Sequence, residues 1–149
     1  MTIASAPKTT LYDQDLNLWV EDTIAKLKAK DFDHVDIENL IEEIESLGTS
    51  ERSEIQSRLA TLLEHLLKRC YVSMPDCFRG WQVTIAHQRQ KLKKLLKQSP
   101  SLKRYFLDSF EEEFVDALEI VRIEYDVQFP DTWQFGRDID SLLNVDFWE

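Results

Sequence analysis

DIENLIEEIESLGTSERSEIQSRLATLLEHLLKRC, residues 36–70, carries the apolar pattern around which the chain must fold. Ile55, Leu59, Leu62, Leu63, Leu66, Leu67 and Cys70 recur at the spacing of one face of an α-helix. So continuous a face is stable only when other helices cover it. Upstream, Ile37, Leu40, Ile41, Ile44 and Leu47 repeat the pattern and read as the buried side of a separate helix. Asp36 can cap that helix by accepting a hydrogen bond from a first-turn amide. Val35 and Leu40 are placed as a hydrophobic staple across the same turn. Gly48 reads as the left-handed residue that ends it. Thr49 or Ser50 then starts the next helix, which runs to about residue 72.

Before this stretch, residues 13–29 form an amphipathic helix with Tyr12, Leu16, Trp19, Val20, Thr23 and Leu27 on one face. KDFDHVD breaks the pattern. After it, SMPDCFRG (residues 73–80) reads as a loop punctuated by Pro75 and Gly80. A helix over about 81–98 carries Trp81, Ile85, Leu92, Leu95 and Leu96. Another over about 101–126 carries Phe106, Phe110, Phe114 and Tyr125. The last stretch, VQFPDTWQFGRDIDSLLNVDFWE, holds two of the four tryptophans and three phenylalanines. Left exposed, it would be an aggregation hazard, so it is expected to fold back over the bundle with a short helix near 138–143. The predicted fold is all-α: four to five main helices, a short C-terminal helix and a wrapped aromatic tail. Residues 1–10 read as a flexible tail and 11–149 as one helical-bundle domain.

Composition excludes several functions. A net charge of −10 opposes wrapping nucleic acid or lying on anionic lipid, both of which need cationic surface. Three glycines, Gly48, Gly80 and Gly136, are too few and too scattered for a phosphate-cradling loop or a dinucleotide fingerprint. No apolar run reaches the roughly 18 residues of a membrane span. MTIASAPKTT lacks the regions of a secretory signal, which implies a cytoplasmic protein. Two cysteines, Cys70 and Cys77, make no disulfide scaffold and read as reduced thiols, with a redox pair as the alternative. No cofactor motif is present.

LYDQDLNLWVE, ENLIEEIESLGTSER, LEHLLK, RGWQVTIAHQRQKLKKLLKQSPSLK and the closing DFW together resemble an uncharacterised bacterial family best represented in cyanobacteria. It is the domain-of-unknown-function family numbered twenty-nine. The resemblance spans about Leu11 to Trp148 and implies an all-helical fold. It assigns no catalytic or binding residue, and the two cysteines are not part of its pattern.

Four constellations are candidates for function. Glu38, Glu42 and Glu45 share one helix face. With Glu113 and Asp116, Glu42 and Glu45 could hold Mg or Mn in a nucleotide phosphohydrolase, provided the carboxylates converge. His34, His65 and His87 form no metal-ligand pair, and no nucleophile motif is present. Gln88 falls between Ile85 and Leu92 on an apolar face, so Trp81, Gln88 and Arg89 could line a small polar pocket. The sharpest anomaly is charge. From Cys77 to Arg104 there are eight basic residues and no acidic one, whereas Tyr105 to Asp126 holds eight acidic residues and only Arg122 opposing them. Antiparallel neighbouring helices could offset each other's charge. Alternatively Lys93, Lys94 and Lys97 face an acidic partner, either another protein or a second copy. The leading expectation is therefore a non-enzymatic interaction module, ahead of the metal-dependent hydrolase. Nucleic-acid contact through the lysine helix ranks last.

Overall fold

The computed structural model describes residues 10–149. It contains six α-helices and no strand among those residues: α1 (Leu11–Gln14), α2 (Leu16–Lys28), α3 (Ile37–Tyr71), α4 (Pro75–Gln98), α5 (Leu102–Glu124) and α6 (Ile139–Asn144). The chain divides into two compact units, one ending at Gly48 and the other running Thr49–Glu149. The tail expected over residues 1–10 lies outside the described residues, except for Thr10, whose hydroxyl caps α1 by accepting from the Asp13 amide.

The first unit is built from α1, α2, a 3₁₀ turn (Phe32–His34) and the start of α3. The expected single helix over 13–29 is interrupted at Asp15, which takes an extended conformation and caps α2 by accepting from the Leu18 amide. Lys30 adopts φ 58°, the left-handed geometry that reverses the chain after α2. Asp36 caps α3 as expected, accepting from the Asn39 amide at 3.3 Å. Tyr12 of α1 donates to Glu43 on α3, and residues of α2 and α3 line one groove together. That bond pushes the Tyr12 phenol up to about 12, because ionising it would remove the donor. Trp19 packs edge-on against Tyr12 at 4.9 Å and is buried with Thr23 and Val35.

Two sequence expectations fail here for one reason. Gly48 does not end a helix: α3 passes through it over 35 residues, and no glycine has positive φ. The loop expected over residues 73–80 shrinks to residues 72–74, with Pro75 opening α4 and Gly80 inside it. Pro75 suits a first helical turn, where its missing N–H has no partner to lose. Glycine ends a helix only where the following residues turn away, and at both sites the flanking residues continue the helix. A Cβ added at Gly80 would meet nothing within 4 Å. Gly80→Ala should therefore stabilise the protein by about 0.5–1 kcal/mol through backbone entropy alone. A shift of the urea midpoint to lower concentration would show that α4 does not include this turn.

The second unit holds the main core. Leu59, Leu62, Leu63 and Leu66 of α3 are fully buried, as the stripe requires. They share one cluster with Trp81, Ile85 and Leu92 of α4 and with Phe106, Phe110 and Val121 of α5. The C-terminal segment completes it with Phe129, Trp133, Leu142 and Leu143. Trp133 is the hub, meeting Phe110, Phe114, Phe135 and Phe147 edge-on at centroid distances of 5.3–5.9 Å. Its indole N–H donates to the Gly136 carbonyl at 3.1 Å. A Cβ at Gly136 would stand 2.7 Å from the Ser141 hydroxyl and 3.0 Å from its Cβ, so a larger residue there would have to displace Ser141. The wrapped aromatic tail and the short helix are thus present, the latter as α6, with Asp138 capping it through the Ser141 amide. The fold is an all-α bundle. No helix among the described residues is long and apolar enough to cross a membrane.

Candidate functional site

The polar side of α4 carries charge of one sign. Its core residues Trp81, Ile85, Leu92 and Leu96 are buried, which turns His87, Gln90, Lys94 and Lys97 to solvent, with Lys91 and Lys93 exposed beside them. No ion pair or hydrogen bond from Lys93, Lys94 or Lys97 occurs among the described residues. The acidic residues Asp108, Glu112, Asp116 and Glu119 of α5 are equally exposed. No α4 lysine forms an ion pair with them among the described residues.

Trp81, Gln88 and Arg89 go to three different places. Trp81 is buried against Tyr125 and Phe78. Gln88 is half-buried and accepts from Arg58 at 3.2 Å. Arg89, one residue on, is the buried member. Its Nε donates to the Leu142 carbonyl at 2.9 Å, its Nη2 to the Val145 carbonyl and its Nη1 to Asp146 at 3.0 Å. It clamps the end of α6, where the last carbonyls lack helical partners. Beside this clamp a polar cleft of about 490 Å³ opens between α4 and the C-terminal segment, with Gln82, Lys93, Asp146 and Trp148 on its walls. Gln82, its amide turned to satisfy both donors, accepts from Trp148 Nε1 at 3.2 Å and Arg69 Nε at 3.1 Å. Arg69 lies over the Phe78 ring at 3.8 Å and the Trp148 ring at 5.2 Å. Tail, α3 and α4 are joined there by stacking as well as hydrogen bonds.

The carboxylates of the hydrolase reading are divided between the two units, Glu42 and Glu45 in the first and Glu113 and Asp116 in the second. Among the described residues no group of three or more His, Cys, Asp or Glu side chains could hold an ion. Glu42 and Glu45 are exposed on α3, while Glu113 of α5 is buried. Burial, then the neighbouring Asp116 and Glu112, push the Glu113 carboxyl above its ordinary range. A carboxyl whose folded pKa is raised costs nothing below its unfolded value near 4.5 and costs most once pH exceeds the raised value. Glu113→Gln should therefore gain stability relative to the native chain as pH rises from about 4.5 to 8, with no gain below that window. Equal unfolding midpoints at both ends would refute this. His65 is half-buried and bonded through Nδ1 to the Thr61 carbonyl at 2.8 Å; burial pulls its pKa down. Both cysteines are free and half-buried, and burial pushes the Cys70 thiol up to about 11, which leaves little nucleophilic thiolate.

One surface was misread from sequence. The face of α3 that periodicity marks as buried is largely open: Ile37, Ile41, Ile44 (58%) and Leu47 (68%) are exposed. Val20, Ile24 and Leu27 of α2 are exposed too. Between the two helices runs an apolar groove of about 290 Å³ floored by Trp19, Thr23 and Leu40, with Ile24, Ile44 and Leu47 along its sides. The signal available was the stripe itself, which shows that a face needs cover but not that the chain supplies it.

A family model described as domain of unknown function DUF29 matches residues 11–148. The chain belongs to the DUF29 family. Neither curated proteins nor solved structures give a match. DUF29 membership assigns no chemistry to the clamp, the lysine face or the groove.

Proposed function

We propose that the chain is a cytoplasmic, non-enzymatic interaction module that engages an acidic protein surface through the lysine face of α4. The observation that carries this reading is the row Lys93, Lys94 and Lys97, exposed and forming no ion pair among the described residues. A solvated surface ordinarily intersperses both signs, and a one-sign helix face gains nothing for the fold: like charges four residues apart, as in Lys93 and Lys97, repel by a few tenths of a kcal/mol. Against a partner of opposite sign, the same face speeds encounter and fixes orientation. The acidic partner is another protein or a second copy of the chain.

Replacing Lys93, Lys94 and Lys97 together by glutamine should leave unfolding free energy within about 1 kcal/mol, because exposed charges contribute little to stability. Association, read by sedimentation and by pull-down at low and high salt, should weaken and lose part of its salt dependence. Unchanged association would make the face ordinary solvated surface, and easy unfolding would make the lysines structural.

A further inference from the structure

The apolar groove of the first unit lies away from the lysine face in sequence and differs from it in chemistry. Its walls come from α2 and the start of α3 alone. Two helices side by side bury one strip of each, and the remaining apolar strips form a trough that a third helix can fill. Ile44 and Leu47 on one wall and Ile24 and Leu27 on the other are large, exposed and aliphatic. Exposed apolar side chains gathered in this way mark interaction sites rather than ordinary surface.

Charge identifies the occupant. Residues 10–48 hold eleven acidic and three basic side chains, a net charge of −8. On α3 Glu43 lines the groove itself, and the helical period places the exposed Glu45 and Glu38 beside Ile41 at the outer edge of the apolar strip. On α2 it places Glu21 just outside Val20 and Ile24, also exposed. Both banks of the trough therefore carry carboxylates, with Lys28 the one cation on the α2 bank. An acid-banked apolar trough repels anionic lipid and a second copy of itself, and it matches a helix with leucine-type anchors on one face and lysine or arginine along its flanks. We infer that the α2–α3 groove is a docking site for a basic amphipathic helix of a partner protein. The helix seats its apolar face on Ile24, Leu27, Ile44 and Leu47 while its flanking cations meet Glu21, Glu38 and Glu45. This inference does not rest on the α4 lysines.

The test uses the full chain and three fluorescein-labelled peptides of about 14 residues, roughly the length of α2 at 1.5 Å per residue. One is a leucine–lysine amphipathic helix, one its leucine–glutamate counterpart, and one a leucine–lysine sequence scrambled to abolish the apolar face. Fluorescence anisotropy should show binding of the first, at least 10-fold weaker binding of the other two, and weakening of the first as salt is raised. Ile44→Ser combined with Leu47→Ser leaves the charge unchanged and should weaken binding at least 10-fold. Both positions are exposed, so circular dichroism should stay unchanged and the unfolding midpoint should shift only slightly, which separates a lost site from a lost fold. The triple lysine-to-glutamine variant of α4 should bind the peptide as the native chain does, so failure of either surface is read separately. Equal binding by all three peptides, or by the Ile44/Leu47 variant, would overturn the inference. So would dimerisation, or binding to zwitterionic vesicles, that this variant abolishes, since the occupant would then be a second copy or a lipid surface.

Discussion

Leu63→Ala and Leu66→Ala should each lower unfolding free energy by about 2–5 kcal/mol, the range for truncating a fully buried leucine. Both side chains have no exposed surface and sit within the cluster that α3, α4, α5 and the C-terminal segment share. Truncation forfeits the burial of the missing carbons and leaves a cavity, and with neighbours contributed by several elements the site cannot collapse easily. Set against a total stability of about 5–15 kcal/mol, either change removes a large share. Ile44→Ala provides the contrast. It truncates an aliphatic residue from the same helix and an equally periodic stripe, yet Ile44 is 58% exposed and should cost under about 1 kcal/mol. Urea unfolding of the three variants measures the difference. Losses below about 1 kcal/mol at both leucines would place the core elsewhere.

Arg89→Ala should be nearly as damaging, at about 2–4 kcal/mol. The guanidinium is the donor shown for the Leu142 and Val145 carbonyls, and hydrogen bonds from a charged group are worth about 1.5–3 kcal/mol each. The Asp146 contact adds less, because that carboxylate is 43% exposed and solvent screens it. Asp146→Asn should therefore cost under about 1 kcal/mol. Arg89→Lys should recover only part of the loss, since one ammonium cannot reproduce three bonds spread over a planar fork. Amide exchange offers the sharper readout: in Arg89→Ala the α6 amides should lose protection before those of α3. Uniform loss of protection across all helices would show that Arg89 supports the bundle as a whole rather than the tail.

The residues that could be read in the sequence share a property: their pattern is local and strong. The stripe from Ile55 to Leu67 spans more than three turns at one period, and only a buried helix face satisfies it. The aromatic tail was legible because so much apolar surface within 23 residues must be covered. Gly48 and Gly80 were misread because glycine's preference for helix ends is statistical, whereas the conformation is set by its neighbours. Ile37, Ile41, Ile44 and Leu47 were misread because periodicity reports amphipathicity and says nothing of what covers the face. Gln88 was placed on the apolar face between Ile85 and Leu92, although the buried residue of the two is Arg89. One residue is a 100° step around a helix, and what decided between the two was carbonyls 53 and 56 residues away. Nothing local encodes such a pairing.

The dependence of the core on its C-terminal segment has a consequence during synthesis. Residues 129–147 leave the ribosome after the three helices whose leucines and phenylalanines they cover. A nascent chain that has already formed α3, α4 and α5 therefore still presents the flank of Phe110 and Phe114 to water until Trp133 arrives. It also lacks the two carbonyls that Arg89 binds. For that interval the polypeptide displays the sticky apolar surface that chaperones recognise, and synthesis stalled within this window should yield aggregating rather than merely shortened product.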